Sequence, residues 1–153
     1  MSEFTPEFFE EVRKGIIKSP IEFLTVAGVE PLCVEERHVA CKLPAGHMHL
    51  NHVGIMYAGS YFILAEATGA NLLKCTYGKQ YVPIIKSAEL NYLKPSKKDL
   101  VIDLSMTEEE AEERIAYIKE HGKGQYPMDI QINDEDGNHV ADAHIVYYLM
   151  PRP

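Results

Sequence analysis

Apolar residues first recur at helical spacing at Phe8, Phe9, Val12, Ile16 and Ile17, with Glu10, Glu11, Arg13 and Lys14 between them. Thr5 fits an N-cap and Pro6 the first helical position, so a helix is expected over about 5–18, ended by Ser19-Pro20. The stretch "AGVEPLCVEERHVACKLP" is broken by Gly28 and Pro31. Val34 to Leu43 then reads as one strand, with Val39, Cys41 and Leu43 on one face and Ala40 and Lys42 on the other. Pro44 to Asn51 is a loop rich in histidine. From about Ile55 to Cys75 the polar face disappears. "IMYAGSYFILAEATGANLLKC" is apolar on every side, which predicts a buried central helix, stopped by Gly78. The period then changes to two. Tyr81 to Leu93 predicts a long strand closed by Lys94-Pro95. Leu100, Ile102, Leu104 and Met106 alternate with Val101, Asp103 and Ser105. Thr107 and Glu110 form a capping box, and Lys119, His121 and Gly122 close a charged helix over about 108–121. Met128, Ile130 and Ile132 alternate with Asp129, Gln131 and Asn133, "DEDGN" supplies a hairpin turn, and the last strand runs from His139 to Met150. This order predicts an α+β fold, a curved antiparallel sheet wrapped around one long helix, as a single domain over 1–153.

Composition narrows the function. The chain has 153 residues, 46% of them apolar and 25% charged, ordinary values for a globular domain. A formal net charge of −8 argues against a nucleic-acid surface. Cys33, Cys41 and Cys75 form no CxxC pair, so neither a disulfide framework nor a zinc knuckle is expected. The acidic, amphipathic start "MSEFTPEFFEEVRK" is unlike a signal peptide, and a cytoplasmic location is expected. Glu66 and Asn71, with glycines and threonines around them and no flanking basic clusters, argue against a membrane span.

Glu66 is the feature needing a reason. A lone acid on an apolar helix can simply reach solvent at a sheet edge or meet a lysine. A functional carboxylate is instead held ready by burial for acid–base or nucleophilic work. Its context favours the second reading. The helix is preceded by "GIMYAGS", and backbone N–H groups at a helix N-terminus are unpaired and partly positive. Small residues at Ala58 and Gly59 would let a substrate carbonyl approach, as an oxyanion hole requires. A helical Gly59 costs about 1 kcal/mol relative to Ala. Asn51, just upstream, can hydrogen-bond a substrate or water.

"NHVGIMYAGSYFILAEATGA" resembles the hot-dog-fold thioesterases, the superfamily of the 4-hydroxybenzoyl-CoA and phenylacetate-pathway enzymes. Their signature is Asn or Gln, a short spacer with Gly, then His-Gly-Gly, then a helix with Leu-Ala-Glu or Leu-Ala-Asp. Asn51 and Gly54 match its start, Tyr57-Ala58-Gly59 stands for His-Gly-Gly, and Leu64-Ala65-Glu66 falls at the matching distance. The tyrosine form with an acidic helical insert is most similar to the thioesterase-like domain appended to some acetyltransferases. The resemblance runs from about Ala27 to Leu149. Two departures stand out. Tyr57 replaces a histidine that helps to orient the thioester in the family. Where relatives carry a helper Ser or Thr, this chain has Ile85 and Ala70, with Ser87 and Thr68 as substitutes nearby.

The resemblance implies hydrolysis of an acyl-CoA or acyl-carrier-protein thioester, with coenzyme A part of the substrate and no separate cofactor. Glu66 would activate water or attack directly, Ala58 and Gly59 would hold the oxyanion, and Asn51 would position the water or the carbonyl. Gly59 and Glu66 lie about 10 Å apart along a helix, further than a base can be from its proton. Two antiparallel helices from two chains would close that distance. A homodimer, or a dimer of dimers, is therefore expected, as the resemblance also implies. Lys94, Lys97 and Lys98 in "KPSKK", together with Lys86, are candidates to dock coenzyme A phosphates, although "KPSKK" also reads as a plain solvated turn. His47, His49 and His52 read as a polar loop at the mouth of the site rather than a metal centre. Two alternatives remain. One is a non-catalytic acyl-CoA or fatty-acyl binding module, suggested by Tyr57. The other is a dehydratase, disfavoured because the acid lies too far along the helix.

Overall fold

In the computed structural model, which describes residues 3–46 and 48–153, helix α1 (Pro6–Ile17) begins where Thr5 Oγ1 accepts the Phe8 N–H at 3.1 Å. It turns Phe8, Val12 and Ile16 inward. A short helix α2 (Glu22–Ala27), not expected from the sequence, follows and ends at Gly28, whose φ of 83° is left-handed. The single strand expected over 34–43 is instead a hairpin of β1 (Glu30–Glu35) and β2 (His38–Leu43). Its turn passes through Arg37 at φ 57°, a conformation bulky side chains seldom adopt, and no glycine marks it in the sequence.

The central helix α3 spans Ala58–Tyr77, starting three residues later than the apolar run suggests. A loop over 51–57 intervenes, organised by Asn51 and by Gly54 at φ 78°. The remaining elements are β3 (Tyr81–Tyr92), β4 (Leu100–Ser105), α4 (Glu108–His121), β5 (Gly124–Asp134) and β6 (His139–Pro151). The capping box of α4 is formed, with Gly122 in the left-handed region. Ala111, Ile115 and Ile118 are buried on this otherwise charged helix.

The strands form one antiparallel sheet in the order β1-β2-β4-β5-β6-β3. Its concave face wraps α3, and Leu43, Leu64, Ile102, Ile130, Ile145 and Leu149 are among the enclosed side chains between them. Burial around α3 is not uniform. Gly59, Phe62, Ile63, Glu66, Ala70 and Lys74 form a half-buried stripe at helical spacing, whereas Leu64, Ala65, Thr68, Leu72 and Cys75 are enclosed. The β1 edge is packed by α1, while β3 forms the other edge and is exposed over most of its length. Pro83 is tolerated there because an edge strand need not donate at every position.

The sheet touches α3 most closely at Gly69. A Cβ added there would lie 2.5 Å from Tyr147 Oη and 3.1 Å from Met128 Sδ. Tyr147 cannot retreat, because it is fully buried and its hydroxyl donates to the Glu66 carbonyl at 2.9 Å. Gly69→Ala is therefore expected to lower unfolding stability by about 1–3 kcal/mol, as overpacking does. A urea midpoint equal to wild type would contradict this account.

Candidate active site

Asn51 opens the loop before α3. Its Oδ1 accepts the Val53 and Ile55 N–H groups at 3.0 and 3.2 Å, and its own N–H donates to the Ile55 carbonyl at 2.7 Å. Two N–H donors on one atom identify that atom as the oxygen, so the NH2 group is the part left free to donate outward. Gly54, one of the sequence candidates, supplies the positive φ of this turn and donates to the Asn51 carbonyl at 3.0 Å.

His49 ties the loop to its surroundings. It is buried, with Nε2 2.6 Å from the Ala27 carbonyl and Nδ1 2.9 Å from Ser60 Oγ. A carbonyl only accepts, so the ring proton sits on Nε2. His49 also takes the Tyr57 N–H on its own carbonyl at 2.7 Å. It is thus an internal clamp on the first turn of α3, not part of a polar loop at the mouth. His52 is exposed, and His47 lies outside the described residues.

The Ala58 and Gly59 N–H groups make no hydrogen bond within the described residues, whereas Ser60 N–H folds back to the Tyr57 carbonyl at 3.0 Å. Tyr92 Oη donates to the Ala58 carbonyl at 2.7 Å and fixes the turn. Tyr57 is the N-cap but contributes no side-chain cap bond. Its ring lies over Gly59, where an added Cβ would approach Tyr57 Cε2 to 2.6 Å. Gly59 therefore accommodates this ring, which is itself exposed.

Glu66 sits two turns on. Its carboxylate has no hydrogen bond or ion pair within the described residues, and burial pushes its pKa above the ordinary carboxylate range. It lines a cavity of about 480 Å³ between α1, α2, α3 and the start of β3. The walls include Leu24, Ala67, Ala70 and Val82, and Lys18, Lys74, Lys79 and Arg152 also line it. Lys79 is paired with Glu11 at 2.9 Å, but neither Lys18 nor Lys74 has an ion pair within the described residues. Burial, then the nearby Lys79 and Arg152, lower the Lys74 pKa.

Asn51, Ala58 and Lys94 border a different cavity, of about 310 Å³, with Tyr61, Tyr92 and Pro95. Within one chain, then, Glu66 and Ala58 open into separate spaces. The other candidates disperse. Thr68 is fully buried and donates to the Leu64 carbonyl at 2.7 Å, so no ligand reaches it. Lys86 and Ser87 stand exposed at a bulge in β3, away from both cavities. Lys98 is paired with Asp136, and Lys97 is exposed. Sequence reasoning missed the cations around the Glu66 cavity, because they come from three separate parts of the chain, Lys18, Lys74 with Lys79, and Arg152.

Comparison with known proteins agrees with this fold. A protein of unknown function from Pseudomonas aeruginosa, described as a probable thioesterase, superposes with a TM-score of 0.84 at 28% identity, over 94% of this chain and 95% of that one. A mutant thioesterase from the same organism gives 0.73 at 14% identity, over 99% and 100%. A hypothetical thioesterase of Streptococcus pneumoniae, solved with coenzyme A, gives 0.62 at 16% identity, over 84% and 91%. No curated protein matches the chain. The sheet wrapped on its central helix is the hot-dog fold of these thioesterase-like structures. Residues 22–149 match the domain of unknown function DUF4442, and the chain belongs to that family.

Proposed function

We propose that the protein hydrolyses acyl thioesters of coenzyme A or of acyl carrier protein, in a site shared by two copies of the chain. The observation that carries this reading is Glu66: an unpaired, half-buried carboxylate lining a cavity with apolar walls and a set of cations. In the reaction, Glu66 of one copy takes a proton from water, and the hydroxide adds to the thioester carbon. The oxyanion accepts hydrogen bonds from the Ala58 and Gly59 N–H groups of the other copy, and the Asn51 NH2 holds the carbonyl or the water. The C–S bond breaks, Glu66 returns its proton to the leaving thiolate, and a carboxylic acid and a free thiol result.

Three observations support the shared site. Glu66 and Ala58 open into separate cavities within one chain. The half-buried stripe of α3 is only partly covered by α1 and α2. The exposed β3 edge, with Ile84 and Tyr92 showing, offers a second copy a strand to pair with. The thioesterase descriptions of the similar structures, one of them with coenzyme A, also favour the reading. No helix of the described residues is long and apolar enough to cross a membrane.

The test is release of free thiol across a panel of acyl-CoA and acyl-carrier-protein substrates; no turnover with either carrier at any chain length would remove the hydrolase reading. Lys74 and Arg152 give a second handle. If an anionic group of the carrier rests on them, Lys74→Met is expected to raise KM about tenfold or more with little change in kcat, since a hydrogen bond between charged groups contributes about 1.5–3 kcal/mol. A kcat loss at unchanged KM would place Lys74 elsewhere in the mechanism. The Tyr57 ring over Gly59 favours a second reading, an acyl-CoA or fatty-acyl binding module without catalysis. It predicts acyl-CoA retained on the purified protein and no hydrolysis.

A further inference from the structure

At the β1 edge of the sheet, far in sequence from Glu66, three metal-ligating side chains converge. Cys33 and Glu35 are two apart on β1 and so share a face. His38 stands directly opposite Glu35 at the start of β2, and Asp103 lies beside them on β4. Cys33 Sγ is 3.5 Å from His38 Nδ1, and Glu35 Oε2 is 3.9 Å from the same nitrogen. One ligand atom from each of the three residues falls within 4.8 Å of the others. On the far side of the ring, His38 Nε2 meets Asp103 Oδ1 at 2.7 Å. An ionised carboxylate only accepts, so the ring proton belongs on Nε2, and Nδ1 turns its lone pair toward Cys33 and Glu35. A carboxylate orienting the outer N–H of an imidazole is the usual support of a metal-bound histidine.

The spacing fits one metal geometry. With Zn–S about 2.3 Å and Zn–N about 2.0–2.1 Å, a tetrahedral centre separates sulfur from nitrogen by about 3.5 Å. That is the separation found between Cys33 and His38. Glu35 is exposed and needs only a small rotation to close from 3.9 Å to the roughly 3.4 Å of a nitrogen–oxygen edge. Glu35 and Asp103 have no Lys or Arg partner within the described residues, and their charge favours a cation between them. The same Cys33, His38 and Asp103 could be read as a nucleophile with its base. Two flanking carboxylates suit a metal cation better than a further free anion.

We infer that Cys33, Glu35 and His38 form a binding site for a zinc-type divalent cation, with Asp103 orienting His38 and the fourth position open to water. On binding, the Cys33 sulfur exchanges its proton for the metal, the proton passes to solvent, and nothing is oxidised or reduced. The bound ion ties β1 to β2. Nothing in the sequence announces the site, because Cys-x-Glu-x-x-His is a short spacing without a second ligand pair nearby.

The test uses the full chain, stripped with a chelator and titrated with Zn2+ against a chromophoric competitor, then with Co2+ as a spectroscopic probe. The expected results are one equivalent of Zn2+ per chain and a thiolate-to-cobalt charge-transfer band. The band is lost in Cys33→Ser. Zinc affinity falls at least tenfold in His38→Gln, whose half-exposed ring can be replaced without disturbing the core, and by about 10–100-fold in Asp103→Asn. Wild-type protein without the thiolate band, or Zn2+ affinity unchanged in both Cys33→Ser and His38→Gln, overturns the inference.

Discussion

Glu66→Gln is expected to reduce kcat for acyl-CoA hydrolysis by about 10²–10⁴-fold, the range a positioned general base contributes. Glutamine keeps the shape of the side chain and cannot take the proton from water. The wild-type rate should rise with pH through a limb above the ordinary carboxylate range, because burial raises the Glu66 pKa and the base must be ionised to act. That limb should vanish in the variant. Stability should move the other way. A carboxylate whose folded-state pKa is raised binds its proton more tightly when folded, so its contribution favours the fold below the ordinary value of 4.5 and is lost as pH rises through the raised one. Glu66→Gln should thus unfold at a higher temperature than wild type at neutral pH, with the difference closing at acid pH. Turnover within twofold of wild type would dispose of Glu66 as the base, and a variant less stable at neutral pH would show that its carboxylate has a partner in the fold.

Mixing two inactive variants is expected to restore activity. Asn51→Asp keeps an oxygen to accept from the Val53 and Ile55 N–H groups, so the loop should hold, while the NH2 donor is lost. In a heterodimer of this variant with Glu66→Gln, the first chain supplies the acid and the second supplies the donor. One of the two sites is then intact and the other carries both defects. With random pairing, half of the dimers are mixed, so about a quarter of wild-type activity should return in a twofold assembly. A site contained within one chain predicts none, since every site would keep one defect. Co-expression with two affinity tags and sequential purification would isolate the mixed dimer and make the distinction quantitative.

What was legible in the sequence was mostly local. Thr5-Pro6 and the Thr107–Glu110 box with Gly122 announce their helices, because caps satisfy backbone groups within a few residues. Alternation in β5 and β6 announces strands with one buried face. The hairpin between β1 and β2 was hidden because Glu36 and Arg37 carry no turn chemistry, and the polar run Glu35 to His38 that interrupts the apolar positions holds no Gly, Asn, Asp or Pro to mark a turn. Helix α2 is six residues long with no side-chain cap, too short to show a period. At the site, Glu66 and the small residues before it stood out because each is locally anomalous. His49, the cations around the Glu66 cavity and the Cys33–His38–Asp103 cluster did not. Their meaning depends on partners up to 134 residues away, as between Lys18 and Arg152. Thr68 was misplaced for a related reason: a helix apolar on every side does not reveal which face the sheet covers.

The bond from Tyr147 to the Glu66 carbonyl bears on how this protein can change over evolution. The residue proposed to do the chemistry is held by its backbone to the sheet, one side of the helix, while its side chain faces the cavity on the other. Gly69, wedged under the same tyrosine, makes the inner side intolerant of growth. Variation in substrate preference is then left to the outer walls of the Glu66 cavity, at positions such as Leu24, Ala70 and Val82, where size can change without moving Glu66. A lineage diversifying its acyl specificity should drift at those three positions and stay fixed at Gly69 and Tyr147, and a designer wishing to widen the pocket should begin with Leu24.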